Sequence, residues 1–316
     1  MINSRLCQLL NIKYPIVQGG MAWVSTAELV AAVSNAGGLG ILAAGNAPVE
    51  IIRNEIDKTR TLTNKTFGIN VMLLSPFADE IINLVIQERI PVVTTGAGNP
   101  GKYMDMLKAV GTKIIPVVPS TALAKRVENL GADAVIVEGT EAGGHVGELT
   151  TMVLVPQTVD VVKIPVIAAG GIADGRGMAA AFALGAEGIQ IGTRFVCSEE
   201  CTAHYNYKNS ILKAKDRDSV VTGRSTGHPV RVLKNKLSKE YEILEKKGAL
   251  THELENLGAG KLRDSVVNGD TDNGSIMAGQ ISGLINDIKS CNDIIEDIIH
   301  EAFLTFKKLG ELKIEE

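Results

Sequence analysis

Apolar, β-branched runs recur along the first two thirds of the chain and alternate with stretches whose apolar positions share one helix face. The runs fall at 14–18, 38–42, 67–72, 92–94, 114–118, 134–137, 166–168 and 188–191, with helical patterns between them at 26–36, 78–88, 121–130 and 175–184. A continuous apolar strand such as Ala134-Val135-Ile136-Val137 fits a parallel sheet covered on both faces. Regular strand-helix alternation produces such sheets, and eight units predict an α/β fold of the closed TIM (β/α)8 kind. The phrases Asn35-Ala36-Gly37-Gly38, Leu130-Gly131-Ala132-Asp133-Ala134 and Leu184-Gly185-Ala186-Glu187-Gly188 repeat one helix end and strand entry, with glycine making the turn.

Beyond Phe195 the pattern changes. Residues 204–215 are polar, 219–231 are β-like and turn-rich, and 233–257 are charged and helical; a polar stretch at 269–274 follows. These shifts predict a barrel over 1–200, a smaller inserted cap or substrate subdomain over 201–274, and a return segment with C-terminal helices over 275–316 that completes the barrel. The return carries Ser275-Ile276-Met277-Ala278-Gly279-Gln280 and an expected amphipathic helix at 281–288.

Composition narrows the function. With 316 residues, 45% hydrophobic content and 33 glycines the chain can bury a large core. A formal charge of −4 with interspersed lysines and arginines gives no basic field for nucleic acid. Cys7, Cys197, Cys201 and Cys291 lack metal-knuckle or Cys-x-x-Cys spacing and read as free thiols, with no metal site expected. Met1-Ile2-Asn3-Ser4-Arg5 leads into no signal-peptide core, and no apolar run reaches spanning length, so a soluble cytoplasmic protein without membrane association is expected.

Candidate chemistry gathers at the carboxyl ends of the strands, where ligands bind in such folds. Glu138 ends one strand, and the loop after it, Gly139-Thr140-Glu141-Ala142-Gly143-Gly144-His145, places a histidine behind two glycines. Glycine-rich loops follow the seventh and eighth strands, Gly170-Gly171-Ile172-Ala173-Asp174-Gly175 and Gly192-Thr193-Arg194. That is the usual phosphate site of a barrel, where backbone N–H groups hold the dianion. The first strand ends in Gln18-Gly19-Gly20-Met21-Ala22-Trp23, and the third contains Asn70. A flavin ring fits these parts, with Asn70, Glu138 and Gln190 as polar contacts. Gly96-Ala97-Gly98-Asn99-Pro100-Gly101-Lys102 matches a dinucleotide fingerprint and most of a P-loop, but Tyr103 stands where Ser or Thr would hold magnesium, and no acid ends the next strand.

Taken together, Gln18-Gly19-Gly20-Met21-Ala22-Trp23, Glu141-Ala142-Gly143-Gly144-His145, Gly170-Gly171-Ile172-Ala173-Asp174-Gly175 and Met277-Ala278-Gly279-Gln280 resemble the nitronate monooxygenase-like FMN barrel superfamily. Within it the likeness is to the flavin-dependent enoyl-acyl-carrier-protein reductases of type II, including Leu73-Leu74-Ser75-Pro76-Phe77, Val93-Thr94-Thr95-Gly96-Ala97-Gly98-Asn99-Pro100 and Gly147-Glu148-Leu149-Thr150-Thr151-Met152. The resemblance implies FMN as cofactor, NADH or NADPH as electron donor, a trans-2-enoyl-acyl carrier protein as substrate in fatty-acid elongation, and a homodimer. It further implies that Met21, Ala22, Asn70, Glu138, Gly170, Gly171, Gln190, Gly192, Thr193, Gly279 and Gln280 surround FMN, with His145 catalytic beside its reactive face. Nitronate-oxidising relatives often carry Ala-Pro in place of Gly19-Gly20, which favours the reductase. The chain departs from close reductase relatives at Ala43-Ala44-Gly45-Asn46, where they are richer in glycine.

Three other readings share these residues: an FMN-dependent nitronate monooxygenase with His145 as base, a phosphate-ligand barrel enzyme without flavin, and a non-catalytic binding protein. An acidic carrier protein would need a local basic patch, for which Lys208, Lys213, Lys215, Arg217, Arg224 and Arg231 are the candidates.

Overall fold

The computed structural model describes residues 4–312; Met1-Ile2-Asn3, part of the expected leaderless start, and 313–316 lie outside the described residues. Its strands are β1 (Ile16–Gln18), β2 (Gly40–Ala43), β3 (Phe67–Met72), β4 (Val92–Gly96), β5 (Lys113–Val118), β6 (Val135–Glu138), β7 (Gly144–His145), β8 (Val166–Ala169), β9 (Gly188–Ile191), β10 (Ser219–Thr222) and β11 (Val230–Leu233). Eight of them hydrogen-bond in the order β1-β9-β8-β6-β5-β4-β3-β2, every pair parallel. The ends of that order meet: Gln18 N–H donates to the Leu39 carbonyl and Leu39 N–H to that of Ile16, each at 2.9 Å. The TIM barrel is therefore closed.

Side-chain alternation divides each strand between two cores. Val17, Ile41, Val92, Ile115, Ile136 and Ile167 point inward, where Leu6 and Leu10 of helix Arg5–Leu10 join them as a plug. Ile16, Leu42, Ile69, Val93, Ile114 and Val135 pack outward against the helices. The plug needs Gly188, because a methyl there would collide with Leu6. Ser4 Oγ fixes it by donating to the Glu187 carbonyl at 2.7 Å. Counting up by two along the same strands turns the inward layer polar at the mouth: Gly68 is followed by Asn70, Val92 by Thr94, Ile136 by Glu138 and Gly188 by Gln190.

A second, antiparallel sheet, β10-β11-β7, lies beyond the β6 end of the barrel, with His145 opposite Val230 and Gly144 opposite Arg231. The two-residue strand β7 has no counterpart among the sequence expectations. The charged helical stretch divides into helices Lys236–Lys246 and Thr251–Gly258, separated at Gly248, whose φ is 74°. The return segment joins the small sheet, with Leu233 N–H donating to the Ile276 carbonyl at 2.8 Å.

The amphipathic helix expected at 281–288 does not form. Ile281, Ile285 and Ile288 have helical spacing, yet the chain makes a 3-10 turn over Gln280–Leu284 and then extends. Gly283 lies against the backbone of Asp216, and Ser290 caps a later helix, Cys291–Gly310, through the Asp293 N–H. That helix packs closely on helix Gly175–Ala183, where Gly175 leaves no room for a methyl beside the Ala302 and Ile298 backbone. Among the described residues no helix is long and apolar enough to cross a membrane. Cys7, Cys197, Cys201 and Cys291 are all free.

Gly40 marks where helix Ala27–Asn35 presses on β2, since a Cβ there would run into the Val30 carbonyl. Overpacking of this sort costs about 1–3 kcal/mol. Gly40→Ala should therefore lower the chemical denaturation midpoint clearly, whereas Gly310→Ala, with nothing within 4 Å of its added methyl, should leave it nearly unchanged. Equal midpoints for the two variants would contradict this packing.

Candidate active site at the barrel mouth

The mouth is assembled by close backbone approaches at glycine positions. Gly20 lies on Asn70, where a methyl would collide, and a Cβ on Gly19 would sit only 3.2 Å from the Gln190 side chain, a tight contact. Met21 Sδ would be 3.3 Å from a Cβ on Gly192, and Ala22 faces Gly45 of the loop after β2. The Gly19–Ala22 segment therefore crosses Asn70, Gln190 and the start of the loop after β9. Ser25 fixes this crossing by accepting from Met21 N–H at 2.9 Å and donating to the Gly19 carbonyl at 3.2 Å.

The loop after β6 is held from below and above. Below, both Glu141 carboxylate oxygens accept from Thr151 N–H at 3.0 Å and one accepts from Thr151 Oγ1 at 3.0 Å. A carboxylate there also complements the positive end of helix Thr151–Val159. Above, the Glu141 carbonyl accepts from Gln280 N–H at 2.9 Å, and a Cβ on Gly143 would come within 2.8 Å of the Ala278 and Gly279 backbone. Thr193 Oγ1 accepts from Gly279 N–H at 3.0 Å, joining the loop after β9 to the same return segment. The expected residues Gly170, Gly171, Gly192, Thr193, Gly279 and Gln280 are thus brought to one rim. The Thr193 hydroxyl is engaged inside the fold, and the Gln280 side chain is exposed.

Glu141, Thr151 and Arg231 are missing from the sequence-derived site. Arg231 is 5% exposed; its Nε donates to the Thr140 carbonyl at 2.8 Å, and burial pushes its pKa down while Glu141 opposes that. Arg231 therefore leaves the set of docking cations. So does Lys208, 7% exposed, with Nζ donating to the Ser198 carbonyl at 2.6 Å. Both form part of the interior that fixes loops; Lys213, Lys215, Arg217 and Arg224 remain exposed. The glycine-rich 96–102 loop is engaged locally: Asn99 accepts from Gly101 N–H at 3.1 Å, and Lys102 pairs with Asp79 at 2.9 Å.

Polar groups at the mouth await partners. Glu138, half-buried, has no hydrogen bond or ion pair among the described residues, and desolvation pushes its pKa up to about 7. The Gln190 amide, 9% exposed, is also unpartnered among them, and Asn70 donates only to Thr94 Oγ1 at 2.9 Å. Gly170 and Gly171 adopt φ of 88° and 70°, and their N–H groups, with that of Gly192, donate to no carbonyl among the described residues. Donors at one end and unpaired amide and carboxyl groups at the other fit a flat, hydrogen-bonding ring system joined to a phosphate. FMN has that form. His145 is exposed at the edge of β7; desolvation of its ring and then the nearby His228 hold its pKa below the usual histidine value.

The profile of the nitronate monooxygenase family matches residues 3–83 and 75–301. A probable nitronate monooxygenase of Staphylococcus aureus is 36% identical over 77% of this chain and 81% of its own. An octahydroindene carboxyl-CoA dehydrogenase of Rhodococcus jostii is 34% identical over 99% of each. Among solved structures, FabK from Thermotoga maritima is 52% identical, superposes with a TM-score of 0.96 and covers 98% of this chain and 99% of its own. A nitroalkane oxidase from Streptomyces ansochromogenes gives 29% identity and a TM-score of 0.85, covering 97% and 100%.

The unpaired Glu138 carboxyl has a pH signature. Its folded-state pKa of about 7 lies above the ordinary 4.5, so the folded protein holds a proton that the unfolded chain releases in that window. Stability of the ligand-free protein should fall as pH rises from about 4.5 to 7, and Glu138→Gln should flatten that slope. Parallel pH profiles of the denaturation midpoint in the two proteins would show that the carboxyl is not desolvated.

Proposed function

On the premise that the chain belongs to the nitronate monooxygenase family of FMN-dependent oxidoreductases, we propose that it reduces trans-2-enoyl-acyl carrier protein with NADH or NADPH, the last reduction of each round of fatty-acid elongation. The observation that carries this reading is the likeness to FabK, an enoyl-acyl-carrier-protein reductase II, at 52% identity over nearly the whole of both chains. The family's monooxygenase members support a second reading, FMN-dependent oxidation of a nitronate by oxygen, on the same residues.

Bound FMN supplies hydride relay from the nicotinamide to the β-carbon of the conjugated thioester. This chain's residues hold and orient. The N–H groups of Gly170, Gly171 and Gly192, which donate to no carbonyl among the described residues, would hold the phosphate, while Asn70, Gln190 and Glu138 would hold the ring's polar edge. With a pKa near 7, Glu138 can present either an acceptor or an O–H donor at neutral pH. Met21, Ala22, Thr193, Gly279 and Gln280 would close the rim around the ring. His145, kept neutral at pH 7 by its lowered pKa, still carries one N–H. That N–H would stabilise the negative charge developing on the thioester oxygen, while the proton for the α-carbon would come from the imidazolium form of His145 or from water, since a neutral imidazole giving up its N–H would be left as an imidazolate.

Anaerobic stopped-flow absorbance on FMN-loaded protein separates the two readings. Bleaching by NADH or NADPH followed by reoxidation with crotonyl thioester is the expected result; reduction by a nitronate alone, with none by nicotinamide, would make the protein a monooxygenase. In the reductase, His145→Ala should lower kcat for enoyl reduction by roughly 100-fold with FMN retained. Unchanged turnover would remove His145 from the chemistry. Reversing the charges of Lys213, Lys215, Arg217 and Arg224 together should raise KM for the carrier-borne substrate more than for a small thioester, and an equal effect on both would place carrier docking elsewhere.

A further inference from the structure

The turn that leads into β11 carries a second histidine, His228, and its backbone is firmly held. Gly223 and Gly227 take φ of 74° and 81° at the two ends of the 3-10 turn Arg224–Thr226. Thr226 Oγ1 donates to the Gly223 carbonyl at 2.7 Å and accepts from His228 N–H at 3.1 Å. Glu245, on helix Lys236–Lys246, accepts from Gly223 N–H at 3.2 Å and from Ser225 N–H at 3.1 Å. Pro229 then biases His228 towards extended backbone, so the strand's side-chain alternation carries back to it.

Strand pairing sets the two histidines on one face. His145 lies opposite Val230, and Val146 N–H donates to the Pro229 carbonyl at 3.1 Å. His228, two residues before Val230, is therefore the diagonal neighbour of His145, a spacing that ring side chains can span. Both rings border one cavity of about 290 Å³, and His228 is close enough to help hold the His145 pKa below the usual histidine value. The same wall includes Glu255 and Ser275. Among the described residues the side chains of His228, Glu255 and Ser275 have no hydrogen bond or ion pair. Glu245 is engaged with the turn, which leaves Glu255 as the carboxylate that favours positive charge in this cavity.

A neutral His145 has one proton to give, and giving it alone would leave an imidazolate. A proton arriving at the other ring nitrogen removes that obstacle. We propose that His228 is its source: the His228 imidazolium passes a proton, through one water in the shared cavity, to the free ring nitrogen of His145 as His145 protonates the α-carbon of the thioester enolate. The enolate's electron pair forms the new C–H bond, His145 ends neutral with its proton on the opposite nitrogen, and His228, left neutral, takes a proton back from solvent. A polar cavity of this size has room for the bridging water. The inference rests on the enoyl reductase reading and adds a relay residue that acts through His145 without touching the substrate.

The test uses FMN-loaded protein and separates the two half-reactions by anaerobic stopped-flow absorbance. His228→Gln should slow reoxidation by crotonyl N-acetylcysteamine thioester about 100-fold, the lower end of what positioned proton transfer supplies, while bleaching by NADH or NADPH, which protonates no carbon, stays within about twofold. Added imidazole should restore reoxidation in the variant and leave the unmodified protein unchanged. Equal slowing of both half-reactions, no rescue by imidazole, or loss of flavin absorbance in both His228→Gln and His228→Asn makes His228 a structural residue and overturns the proposal. If nicotinamide does not bleach the unmodified protein and a nitronate does, the reductase reading itself fails. If the unmodified protein completes the reductase cycle and His228→Gln reoxidises at the same rate, only the relay fails.

Discussion

Glu141 is the point on which the mouth of this barrel depends. Its carboxylate holds the first turn of helix Thr151–Val159, and its carbonyl holds the returning chain at Gln280. Its side chain also lies in van der Waals range of a Cβ built at Gly171. One residue thus sets the separation of three segments, at Thr151, Gly171 and Gln280, the last of them more than 100 residues along the chain from the other two. Gly143 and Gly279 make that separation small, because any side chain at either would force the loop and the return segment apart. A rim built this way is rigid before a ligand arrives, which is what close backbone contact with a flat ring demands.

Rigidity alone would favour filling the mouth with apolar side chains, and the barrel does the opposite. Below the rim the inward layers are Val, Ile, Leu and Gly; two residues above Gly68, Val92, Ile136 and Gly188 on the same strands they become Asn70, Thr94, Glu138 and Gln190. Glu138 is the costly member. An unpartnered carboxyl deprived of water holds its proton instead of its charge, which accounts for a pKa near 7 without any neighbouring acid. A partner that supplied hydrogen bonds would recover what desolvation removes, so the cost of the empty mouth and the affinity for its ligand have one origin.

How much of this is legible in the sequence follows from how local each signal is. The barrel strands and the polar ends of β3, β6 and β9 are readable because apolar runs are continuous and their last inward residue departs from the run. Glu141 is not, since a glutamate ten residues before Thr151 resembles any loop acid until the fold brings it under the helix. Lys208 and Arg231 read as surface cations because sequence supplies charge but not depth; both fix backbone carbonyls in the interior. Ile281, Ile285 and Ile288 carry a helical period, and that period arises from a turn and an extended segment that bury two of them in the barrel's outer core. β7 is two residues long, too short for any periodicity, yet its pairing with β11 is what orients His145.

That last point separates family from reaction. The barrel, the glycine loops and the Glu141 clamp shape the site proposed for the flavin, and none of them selects a substrate. What His145 faces on its other side is supplied by β11 and the helices after it, from the region where the sequence stops resembling a barrel. On the proposed function substrate choice would belong to the added sheet, because the His145 ring borders the same cavity as Val230 and Val232. The same histidine can serve a small nitronate or a thioester, and the wall it borders mixes Val, Leu, Met and Tyr side chains with the polar His228, Glu255 and Ser275.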